Sequence, residues 1–123
     1  MKRLLSIALL AASLSACTSL GFPAPKTPAQ AVYAAKGTFL ATVLVANQYK
    51  ALPPCGGTDV LCSSPAVVTK LQLAANAGKA TLDSAEATVT DPAFKGSTTD
   101  AAVVAAENAV QAFSTIANDL KVQ

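Results

Sequence analysis

Prolines cut this chain into three helix-sized pieces, and that division limits its fold more than any other feature. Pro53-Pro54 and Thr90-Asp91-Pro92 interrupt it at two points. A proline inside a helix removes a main-chain hydrogen bond and clashes with the turn before it, so no helix continues through either site. The piece before Pro53 opens on Thr27-Pro28-Ala29-Gln30. That run supplies a cap, a proline suited to the first helical position, and a glutamine where a capping box places one. A first helix is expected over about 28–51, with an apolar face drawn from Val32, Tyr33, Phe39, Leu40, Val43 and Leu44. Gly37 would let another backbone come close, and Asn47 falls near the buried face, either paired there or at the helix end. The stretch from Gly37 to Ala46 is almost wholly apolar but is bracketed by Lys36 and by Asn47-Gln48. Its ten or so residues fall well short of the ~20 that cross a bilayer, so it reads as a core helix.

Pro53 to Ser63 reads as a loop, after which Ser64-Pro65 repeats the cap-plus-proline signal and starts a second helix over about 65–89. Val68, Leu71, Ala75, Gly78, Leu82, Ala85 and Val89 alternate spacings of three and four, which is a narrow heptad seam. Lys79, Asp83 and Glu86 are expected on the outer side, as a solvated ion pair at i,i+4 spacing rather than a catalytic acid pair. Beyond the second break, Ser97 to Thr99 offer caps and Asp100 suits the positive end of a helix dipole. A third helix is expected over about 100–120, with the seam Val103, Ala106, Val110, Phe113, Ala117 and Leu120. Three helices of similar length joined by short connections fold up-down-up, and no strand pattern appears. The expected class is an all-α, small three-helix bundle.

Alanine is abundant and large apolar residues are few, so the helices should approach closely around a thin core. Such a core buries little area and sits near the lower limit of stability for this size. A single bundle with a covalent staple is the simpler expectation. A partner helix or a second copy of the chain would also complete the seams.

The N-terminal stretch carries different information. Met1-Lys2-Arg3 is basic, Leu4 to Leu14 is apolar, and Leu14-Ser15-Ala16 ends in two small residues before Cys17. A secretory signal needs those parts in that order, and the cysteine makes the segment resemble the lipobox of bacterial lipoproteins. The resemblance implies cleavage before Cys17, a diacylglycerol on its thiol and an acyl chain on the new amine. Leu4 to Leu14 is about half the length of a spanning helix, which needs ~20 apolar residues, and Gly21, Pro23 and Pro25 prevent its extension. Three acyl chains would hold the protein on a leaflet permanently. Thr18 stands where, by analogy with that family, an aspartate would retain the protein in the inner membrane, which favours the periplasmic face of the outer membrane. The expected organisation is a signal peptide over 1–16, a lipidated tether over 17–27, whose extended stretch Thr18 to Lys26 would reach about 30 Å at ~3.1 Å per residue, and a helical domain over 28–123. The covalent lipid on Cys17 is then the only attached group expected, with no cofactor. Phe22, in the tether, touches either the interface or the domain.

In an exported chain the remaining pair, Cys55 and Cys62, implies a disulfide, and Gly56-Gly57-Thr58-Asp59 can turn sharply enough to close it. A structural zinc wants four Cys or His ligands, so no metal site is expected. Removing Lys2 and Arg3 leaves basic and acidic residues equal in number, and no basic patch remains to bind nucleic acid. There is no His, no Gly-rich phosphate loop after a strand, and no G-x-S-x-G elbow. Ser and Thr lie at caps or outer faces with no base to activate them. No catalytic residue is nominated and no enzyme is expected.

Thr27–Lys36 (T-P-A-Q-A-V-Y-A-A-K), Leu52–Cys55 (L-P-P-C) and Cys62–Val68 (C-S-S-P-A-V-V) resemble small uncharacterised Ala-rich lipoproteins of proteobacteria and their prophages. That resemblance implies a helix, a Cys-bounded loop and further Ala-rich helices rather than an activity. The expected function is a membrane-anchored, non-enzymatic structural or interaction module of the cell envelope. It would meet the membrane through its lipid and a protein partner, or itself, through helix faces. The alternative is a prophage-derived envelope factor, such as a superinfection-exclusion or lysis-associated lipoprotein. A small-ligand or lipid carrier would need a cavity, against which the small-residue seams argue.

Overall fold

The computed structural model describes residues 24–57 and 61–119. Three helices account for most of them: α1 (Pro28–Lys50), α2 (Pro65–Thr90) and α3 (Ser97–Asp119). Among the described residues no strand forms, and a single isolated bridge joins Pro54 to Ser63. All three helix pairs are in contact, α2 with α3 most extensively. Helices consecutive in the chain run antiparallel, so this is an all-α, up-down-up three-helix bundle.

The helix ends show which local signals act. Thr27 caps α1 by accepting the Gln30 main-chain N–H at 3.2 Å, with Pro28 at the first helical position. The Gln30 side chain reaches one residue past the cap, to the Lys26 N–H at 2.8 Å. Ser64 makes no side-chain cap for α2, although Pro65 opens the helix as expected. α3 begins at Ser97, three residues before Asp100. Gly96, at φ +64°, makes the turn in a left-handed conformation that costs glycine nothing. Its carbonyl then accepts the Asp100 N–H (3.0 Å) and the Thr99 hydroxyl (2.8 Å). Thr99 therefore donates inside the first turn instead of capping it.

The core forms where the three seams meet. Its buried apolar residues are Val32, Phe39 and Ala46 from α1, Leu71, Leu82 and Ala85 from α2, and Ala102, Ala106, Phe113 and Ala117 from α3. Five of these ten are alanines, so helix axes come close and each large side chain carries a large share of the burial. The two rings meet at the middle: Phe39 and Phe113 have centroids 5.0 Å apart at a 44° tilt, a geometry favourable for aromatic pairs. Gly78 faces Phe39 from α2, where a Cβ would stand 2.5 Å from the ring's Cε2 and 3.0 Å from Cζ.

The face of α1 is narrower than its sequence suggests. Val32, Phe39 and Ala46 repeat at seven and point inward, and Val43 packs beside them. Tyr33, Leu40 and Leu44, expected on that face, are instead 51%, 60% and 64% exposed. Each lies one residue on from an inward position, and one residue turns a helix by about 100°. Asn47 is exposed too, its carbonyl accepting the Ala51 N–H at 3.1 Å where the helix ends.

Two glycines inside helices should respond in opposite ways to alanine. Gly37 has open space around it, so Gly37→Ala gains helix propensity, up to ~1 kcal/mol, and should raise the melting temperature by a few degrees. Gly78→Ala gains the same propensity but drives a methyl into the Phe39 ring, which also packs against Phe113. Overpacking of this kind costs ~1–3 kcal/mol, so its melting temperature should fall. Thermal melts by circular dichroism compare the two.

Candidate functional site

The residues expected to carry the lipid signal, Leu14, Ser15, Ala16 and Cys17, lie outside the described residues. The other nominated pair is joined: Cys55 and Cys62 form a disulfide with their Cα atoms 4.8 Å apart. The loop they close is also knitted at its base. The Cys55 N–H donates to the Ser63 carbonyl at 3.1 Å and the Ser63 N–H to the Pro53 carbonyl at 2.8 Å. The buried Ser63 hydroxyl donates to the Leu52 carbonyl at 2.9 Å. The Ser64 N–H donates to the Tyr49 hydroxyl, also at 2.9 Å. Tyr49 thus ties the end of α1 to the start of α2. In the chain-entropy account, closing so short a loop contributes about 2–3 kcal/mol.

The most concentrated charge lies between α1 and α2. Lys36 reaches across to Asp83 Oδ1 at 3.2 Å and to Glu86 Oε2. Lys79 pairs with the other oxygen of Asp83 along α2. Lys79, Asp83 and Glu86 are therefore not simply an outer, solvated set, because a lysine from the neighbouring helix gathers both carboxylates. The hydrogen bonds from Lys79 and Lys36 hold the Asp83 carboxyl below its usual range. The bond from Lys36 does the same for Glu86, with a smaller contribution from the Tyr33 hydroxyl. The same bonds, Glu86 first, raise the Lys36 ammonium. Spacing along α2 placed Asp83 and Glu86 together, but the reach of Lys36 depends on the antiparallel register of α1 and α2.

An open groove of about 340 Å3 runs beside this cluster, lined by Lys36, Phe39, Leu40, Val43, Lys79 and Asp83 among others. A second trough of about 490 Å3 lies between α2 and α3, lined by small residues such as Ala80, Ser84, Thr88 and Ala102. Among the described residues no three His, Cys, Asp or Glu side chains group closely enough to hold a metal ion. None of their buried side-chain N or O atoms lacks a partner. The hydroxyls of Thr38, Thr42, Thr69, Thr81, Thr88, Thr90 and Thr115 donate to the carbonyl four residues back. The Lys36 bridges clamp α1 to α2.

The pH dependence follows from these shifts. Asp83 and Glu86 lie below their ordinary values of 3.8 and 4.5 when folded, so their contribution is present above those values and is lost as pH falls through the lower folded ones. Lys36, raised above 10.5, contributes below that value and loses its contribution above it. Melting temperature should fall between pH 5 and 3, and less steeply in Lys36→Met. The effect is modest, since the three side chains remain 29–44% exposed and water screens them. Thermal melts across that range provide the check.

No family model matches this chain, and no curated protein or solved structure matches it.

Proposed function

We propose that the chain is an exported lipoprotein whose helical bundle serves as a non-enzymatic structural or interaction module of the cell envelope, held to the membrane by lipid on Cys17. The observation that carries this reading is the Cys55–Cys62 disulfide. Disulfides persist in oxidising compartments outside the cytoplasm and are rare within it. The basic, apolar and small-residue order of Met1 to Ala16 before Cys17 supplies the route there. The bundle supplies what an anchored module needs: helix faces on a short tether, fixed by a covalent staple at one end. Its charge cluster joins α1 to α2 and holds those two faces in a fixed relation.

Cys17→Ser tests the anchor. In a bacterial host fed labelled palmitate, the parent chain should take up label and the variant should not, remaining at precursor size. Label retained by the variant would overturn the reading.

A further inference from the structure

We propose that α1 lies along the membrane surface, its outer stripe of Tyr33, Leu40 and Leu44 seated at the headgroup boundary of an anionic leaflet. The proposal deepens the lipoprotein reading and rests on it. Fewer than a dozen residues separate Cys17 from Pro28, a span of about 40 Å at most. A lipid on Cys17 would therefore keep the first turn of α1 within reach of the bilayer.

Three observations single out this face. Tyr33, Leu40 and Leu44 form one stripe of large, mostly exposed apolar side chains. Gly37 lies between them with nothing near it. On α2 and α3, by contrast, Leu73 and Val104 are the exposed large apolar residues, one to each helix.

Charge separates the helices in the same sense. α1 contains no acidic residue; Lys36 and Lys50 lie in it and Lys26 just before it. Among the described residues the acidic positions are 83, 86, 91, 100, 107 and 119, all in α2, α3 or their connection. The carboxylates nearest the stripe, Asp83 and Glu86, are held by Lys36 and Lys79. An anionic leaflet thus meets lysines at both ends of α1 and would repel the outer side of α3. Membrane-surface binding grows with the apolar area buried and with attraction of basic residues to anionic lipid; the stripe supplies the first and Lys26 and Lys50 the second, and tyrosine favours that depth.

The alternative of crossing the bilayer fails on packing. α1 is long and apolar enough to cross by length and composition. However, Val32, Phe39 and Ala46 are committed to the core, so insertion would tear the bundle open. Lying flat leaves the core intact and covers only the stripe.

The test uses the full chain produced in a bacterial host, recovered from membranes and placed in nanodiscs of phosphatidylethanolamine and phosphatidylglycerol carrying nitroxide-labelled lipid. NMR signals of Tyr33, Leu40 and Leu44 should be attenuated several-fold more than those of Leu73 and Val104. The double variant Leu40→Glu, Leu44→Glu, with both sites exposed, should keep its melting temperature and lose the contrast. Uniform attenuation, or attenuation centred on α3, would overturn the proposal. So would intermolecular contacts across α1, which would give the stripe to a second copy. The mass of the N-terminal peptide from the same sample separates the two failures. An acylated Cys17 without attenuation at α1 overturns the orientation alone, and an unmodified Cys17 overturns the anchor and the orientation with it.

Discussion

The bundle depends on one ring finding room against a glycine. Phe39 on α1 projects toward α2 where Gly78 has no side chain, and its other side meets Phe113 from α3. In a core half composed of alanine, this is the point at which all three helices meet through large contacts. Close-packed interiors gain their dispersion energy from such filled space. A helix pair built on alanine alone would slide in register with little cost; a ring held in a one-residue notch fixes it.

Register then determines the rest. With Phe39 opposite Gly78, the antiparallel α1 and α2 bring Lys36 level with Asp83 and Glu86. They also bring Tyr49 to the backbone that opens α2. The disulfide closes the adjoining connection. Packing, charge and covalent staple agree on one arrangement, which is the condition for a single folded state.

Much of this could be read from the amino acids. Pro53-Pro54 and Pro92 gave the number of helices, and the three–four spacing of Leu71, Gly78, Leu82 and Ala85 gave the buried face of α2 because that seam is narrow and regular. α1 resisted the same method. Its outer side is nearly as apolar as its inner side, so spacing alone could not separate Phe39 from Leu40 or Val43 from Leu44. Neither Lys36 bridging two carboxylates nor Tyr49 receiving a main-chain N–H has a local signature, since each links residues far apart in sequence. At Gly96 a left-handed turn moved the start of α3 ahead of its acidic residue, a choice made by the backbone rather than by the cap candidates that follow it.

The account is tested most directly by a double-mutant cycle in thermal melts of Gly78→Ala, Phe39→Leu and the two together. If the ring occupies the notch, shortening it relieves the methyl, and the double variant loses clearly less stability than the two single losses combined. Strictly additive losses would mean that Phe39 and Gly78 do not meet, and would contradict the register on which the bundle is built.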